Sequence, residues 1–124
     1  MTATSEFSIT QLTRAYGVTP RAIRHYDEFG LIRPHRNSAN RRRFDAAERD
    51  RLVFILRLRR ASIGLPEIRS IMRAGRSDGA AAQLARAIAV VETRLRTLEE
   101  TDAKPGSVEA ATQLLTALRT EMDH

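Results

Sequence analysis

Seven arginines fall between residues 21 and 43, and their types and spacing suit contact with a polyanion. Arg21 and Arg24 stand three apart, followed by His25; Arg33, Arg36, Arg41, Arg42 and Arg43 follow within ten residues or so. A guanidinium is planar, always charged, and donates in a fork that matches phosphate oxygens or the guanine edge. Other chemistry finds little footing. His25, His35 and His124 are scattered without metal-ligand spacing, and Asp27 and Glu28 are neighbours that point apart on a helix, so they form no carboxylate pair. Cysteine is absent, which excludes disulfides and a thiolate metal site, and no glycine loop has phosphate-binding spacing. No catalytic residue, metal site or cofactor is expected.

Arg21, Arg24 and His25 need a scaffold, and the stretch T-P-R-A-I-R-H-Y-D-E-F-G over residues 19–30 reads as a short helix. Thr19 is a good N-cap, Pro20 suits the first helical position, and Gly30 suits the left-handed stop. Ile23 and Tyr26, with Ala22 and Phe29 nearby, form an apolar back, so the arginines form the front. That is the shape of an element entering a DNA major groove. Upstream, residues 1–7 read as a frayed lead-in, with Phe7 placed to staple. Ser8 and Gln11 form a capping box for a helix carrying Ile9, Leu12 and Tyr16 on one face, and Gly17 stops it. Helix, tight glycine turn, helix is the helix-turn-helix layout, in which the second helix reads bases.

Residues 31–34 and 41–44 read as two short strands flanking a loose polar loop over residues 35–40, a β-hairpin wing. The five guanidiniums of that wing repel one another until a polyanion neutralises them. Asp45 and Glu48 predict a capping box for a helix over residues 46–61. Residues 62–64 break it, Leu65–Pro66 begins another short helix, and residues 75–79 read as a hinge. Ala81, Leu84, Ile88, Val91, Leu95 and Leu98 then recur at spacings of 3, 4, 3, 4 and 3, an a/d seam on a helix over residues 79–100, ~33 Å long. Alone, each large seam residue forgoes about 1.5–3 kcal/mol of burial. A second copy of the helix removes that loss, and so, within one chain, would the last helix. Lys104, Pro105 and Gly106 separate the two, and Ser107 is placed to cap the final helix.

The charge is uneven. Residues 1–76 hold 16 Arg against 7 acidic residues, a balance of +9, whereas residues 77–124 carry −3, within a chain of net charge +6. A basic half joined to a mildly acidic half fits a nucleic-acid reader with a separate assembly element. Twenty of the 21 basic residues are arginine, which a GC-rich genome would also favour. No apolar run approaches the ~20 residues of a membrane span, and residues 1–6 lack a signal pattern. A soluble, cytoplasmic and nucleoid-associated protein with no membrane partner is expected.

Taken together, T-P-R-A-I-R-H-Y-D-E-F-G-L-I over residues 19–32, R-R-R-F-D over 41–45 and I-G-L-P-E-I over 63–68 resemble the reading helix, wing end and second-wing turn of the MerR family of bacterial transcription regulators. The resemblance covers residues 7–72, and the seam extends it to residue 100. It implies a mainly α protein: a winged helix-turn-helix head over residues 7–75 with a small β-hairpin wing, a dimerisation helix over 79–101 forming an antiparallel coiled coil, and a short C-terminal helix over 107–123. The implied partners are double-stranded promoter DNA with an inverted repeat, a second copy of the chain, RNA polymerase at a distorted promoter spacer, and a small-molecule effector of unknown identity. Carried over by position, Arg21 and Arg24 contact DNA from the reading helix, Thr19 and Tyr26 help hold the backbone, and Arg42 and Phe44 take wing positions; the groove-lining His25 and the wing residues Arg41 and Arg43 complete the DNA-binding set. Leu84, Ile88, Val91, Leu95 and Leu98 form the dimer seam. Phe44 stands where tyrosine is more usual, keeping the packing and losing a hydroxyl. The cysteines of metal-sensing relatives are missing.

Two other readings compete. MerR-like heads also serve as chaperone-partner modulators that bind protein instead of DNA, which the arginine density of the wing disfavours. A phage excisionase-like architectural factor would be shorter and without the long helix.

Overall fold

A computed structural model describes residues 6–101 and 104–124, so most of the frayed lead-in and signal-free start read at residues 1–6, and part of the break after residue 101, lie outside the described residues. The chain divides into two compact units, one ending at Phe54 and one beginning at Ile55. Among the described residues there are six α-helices and one small antiparallel sheet.

In the first unit the local signals act as their chemistry dictates. β1 (Glu6–Ser8) leads into α1 (Ile9–Tyr16), where the Ser8 hydroxyl accepts the Gln11 amide at 3.1 Å and the Ser8 amide donates to the Gln11 side chain at 2.8 Å. Gly17 takes φ 67°, a conformation that costs a glycine little, and ends the helix. α2 (Pro20–Glu28) follows, with the Thr19 hydroxyl accepting the Ala22 amide at 3.1 Å. It stops where Gly30 takes φ 81° and donates to the Asp27 carbonyl, while Leu31 donates to that of Tyr26; this pair of bonds is a Schellman stop.

The sheet corrects two expectations. β1, β2 (His35–Arg36) and β3 (Arg42–Asp45) are ordered β1-β3-β2. Phe7 is thus part of a strand, paired with Phe44, and not only a staple. The first wing strand lies at His35–Arg36 and not at residues 31–34. Leu31 and Ile32 are fully buried as core residues, and Pro34 has no amide to give a ladder. The loop between β2 and β3 is also not loose. The Asn37 side chain accepts the amides of Ala39 and Arg41, both at 3.0 Å, and Asn40 sits at φ 60°, a conformation asparagine tolerates. Leu12, Val18, Ile23, Tyr26, Leu31, Ile32, Phe44 and Leu52 are buried in this unit.

α3 (Ala46–Arg60) starts with the Glu48 amide donating to the Asp45 carboxylate at 2.8 Å. The Glu48 carboxylate in turn accepts the backbone amide of Arg33 and pairs with the guanidinium of Arg51. In the second unit α4 (Leu65–Asp78) runs through Gly75, so the hinge read over residues 75–79 shrinks to Gly79 at φ 94°. A Cβ on Gly75 would meet the side chain of Gln83 on α5 (Ala80–Glu100), whose own Cβ would lie at 3.0 Å, so α5 packs close to α4 at this glycine. α6 (Pro105–Met122) begins ahead of Ser107, which sits in its first turn instead of capping it. α4 and α6 each pack on α5.

Candidate nucleic-acid interface

α2 separates its faces cleanly. Ile23 and Tyr26 turn inward and are buried, while Arg21, Arg24 and His25 are exposed. Thr19, Arg21, Arg24, His25 and Glu28 line one shallow depression on the outer side. The His25 ring stacks on that of Phe29, with centroids 6.1 Å apart and planes 17° apart, so the imidazole lies against the helix end as an exposed plate. No carboxylate among the described residues stands within ion-pair reach of Arg21 or Arg24. Two guanidiniums are therefore held on a short capped helix with their donors directed to solvent.

The wing does not present its arginines equally. Arg42 Nε donates to Asp27 Oδ2 at 2.8 Å, with side chains 18% and 26% exposed, so the first residue of β3 is tied to the last turn of α2. Arg43 lies 3.6 Å from Glu6, and the other oxygen of that carboxylate is 2.8 Å from His35 Nε2. Arg36 donates to the Asn40 carbonyl at 2.9 Å. Arg33, Arg36 and Arg41 are exposed and have no carboxylate partner among the described residues. The repulsion expected among five wing guanidiniums is thus relieved in part by two internal acids.

Tyr26 and Phe44 sit differently from the rest of the sequence-derived set. The Phe44 ring is completely buried and Tyr26 is 7% exposed. With no exposed surface, the Phe44 ring cannot itself meet a phosphate and instead supports the surface from behind. Asp27 and Glu6 are residues that sequence reasoning missed. Their partners lie 15 and 37 positions away, beyond any local spacing rule.

In the second unit Val91 and Leu98 of the seam are buried by their own chain, while Leu84, Ile88 and Leu95 stay half-buried. A groove of about 570 Å³ runs beside α5, lined by Ser62, Gly64, Glu67, Arg86, Val90 and Arg94 among others; no residue of α6 lines it. No cluster of metal-ligating side chains occurs among the described residues.

A capped helix-turn-helix, a three-stranded wing and an exposed guanidinium face define a winged helix-turn-helix protein. Residues 7–75 match the family described as MerR HTH family regulatory protein, and residues 49–104 match that described as MerR, DNA binding. The chain belongs to the MerR family, a family of transcriptional regulators. It is 36% identical over 110 residues to the HTH-type transcriptional regulator MerD of Shigella flexneri, spanning 86% of this chain and 92% of that one. It is 37% identical over 67 residues to the HTH-type transcriptional activator TipA of Streptomyces coelicolor, covering 53% of this chain but only 26% of TipA. In fold it is similar to HiNmlR, a MerR family regulator lacking the sensor domain, solved bound to promoter DNA, with TM-score 0.59, 17% identity, and 78% and 82% of the two chains covered. No helix among the described residues is long and apolar enough to cross a membrane.

Proposed function

We propose that this protein is a sequence-specific DNA-binding transcriptional regulator and not an enzyme, acting in the cytoplasm at the nucleoid. Residues 7–75 form the DNA-binding head, 79–101 the dimerisation helix and 107–123 the terminal helix. The observation that carries the reading is the outer face of α2, where Arg21 and Arg24 stand exposed on a capped helix with no acid among the described residues to occupy them. α2 enters the major groove, Arg21 and Arg24 donate to base edges or phosphates, and Thr19 and His25 border the contact. Arg41, Arg42 and Arg43 grip phosphates from the wing, with the exposed Arg33 and Arg36 beside them, while Tyr26 and Phe44 support the surface from inside. Two copies join through α5, burying the half-covered Leu84, Ile88 and Leu95 next to Val91 and Leu98. The paired heads then read an inverted repeat, and their grip distorts the promoter spacer for RNA polymerase at a cost of a few kcal/mol, offset by added contacts.

Fluorescence anisotropy of the protein on labelled duplex DNA across a salt series tests this. Binding that weakens steeply with salt, at a log–log slope of roughly −0.9 per phosphate neutralised, is the expected result. Absence of any DNA binding would sink the reading in favour of a protein-binding module.

A further inference from the structure

We propose that Asp27 is a positioning residue of the DNA interface, acting through Arg42 to hold the wing and the reading helix as one surface. The inference rests on the DNA-binding reading above. Asp27 occupies the last turn of α2, and Arg42 opens β3, the strand at the centre of the sheet. Between them runs a 2.8 Å charge-assisted hydrogen bond from Nε to Oδ2, largely withdrawn from solvent. Among the described residues this bond ties α2 to the wing through side chains, whereas Glu6 holds His35 and Arg43 from β1. An arginine has five N–H donors, and Asp27 occupies only the one on Nε. The four Nη–H donors of Arg42 have no partner among the described residues. Asp27 therefore fixes the plane of the guanidinium and leaves its outer edge to meet a phosphate.

An acid at a DNA-binding face repels the phosphates, so by charge alone its removal strengthens binding to every sequence. Glu28, the next residue, supplies that baseline: it is exposed and has no ion-pair partner among the described residues. Removing Asp27 also frees Arg42 and uncouples the wing from α2. That loss bears on the specific complex, which needs both elements in register, and not on loose non-specific association.

The test uses the full chain and two labelled duplexes: one enriched from a random-sequence pool by the wild-type protein, the other unrelated and of equal length. Wild type, D27N, R42K, the D27N/R42K double variant and E28Q are compared by anisotropy, well below their melting temperatures. On the enriched duplex, D27N and R42K each lose about tenfold in affinity, and the double variant is no worse than the poorer single, as coupled neighbours behave. On the unrelated duplex D27N binds as well as wild type or better, and E28Q gains modestly on both. The inference is overturned if D27N holds the enriched duplex as tightly as wild type, or if the two single losses multiply in the double variant. A proportional loss on both duplexes, the mark of a damaged fold, overturns it as well. Failure of the wild type to enrich any sequence is a different result, and strikes the DNA-binding reading itself.

Discussion

The carboxylate of Glu48, only 6% exposed, accepts the backbone amide of Arg33. It also pairs with the Arg51 guanidinium one helical turn ahead. The first turn of α3 thereby holds the chain where it leaves α2 and enters the wing. Glu48→Ala leaves a backbone amide and a half-buried guanidinium without their acceptor, at a cost of about 1–3 kcal/mol. Urea unfolding monitored by circular dichroism reads this as a lower midpoint with an unchanged slope. An unaltered midpoint would mean that solvent replaces the carboxylate without loss.

Arg24 makes no ion pair within the described chain, so its removal has little to disturb in the fold. Arg24→Ala weakens binding to a wild-type-enriched duplex by about 1–3 kcal/mol if the contact is a bidentate base contact. Its sedimentation profile and melting temperature stay those of the wild type. Equal affinity of variant and wild type for that duplex would remove Arg24 from the interface.

Asn37 closes the wing turn by accepting two backbone amides, so its side chain, and not the strands alone, shapes the loop that carries Arg41. Asn37→Ala raises the hydrogen-exchange rates of the Ala39 and Arg41 amides several-fold while those in α1 and α2 stay protected. Unchanged exchange at Ala39 and Arg41 would assign the turn to backbone bonding alone.

Leu84, Ile88 and Leu95 remain half-buried in a single chain although they lie on a continuous seam. Leu84→Glu shifts the sedimentation equilibrium toward monomer while helix content is kept, because a buried unpaired carboxylate is costly at the interface between copies. A variant that self-associates like the wild type would place the contact elsewhere.

Elements specified by signals within about four residues were legible beforehand: the Ser8–Gln11 box, the Thr19 cap, and the stops at Gly17 and Gly30. Each is one local bond or one permissive φ value, so spacing alone reveals it. β1 was not legible, because three residues carry no period and Phe7 finds its reason only in Phe44, far along the chain. The position of β2 was misread for a related cause: Leu31 and Ile32 look like strand residues but are apolar because they fill the core. In the candidate site the exposed arginines of α2 could be read from helical geometry. The division of the wing into tied and untied guanidiniums depends on Asp27 and Glu6, acids that tertiary structure delivers. The α5 seam was legible as apolar, but its sharing between α6 and any second copy was not, since periodicity names a face and not its occupant.

Gly79 alone separates α4 from α5, and its left-handed backbone turns the chain in a single residue. The junction therefore has no slack. One extra amino acid placed there would advance every face of α5 by about 100°. Ala87, Val91 and Leu98 would swing out of cover together, and polar neighbours would swing in. The length of this joint is in effect a gear tooth, tolerant of substitutions that keep the φ value and intolerant of any change in count.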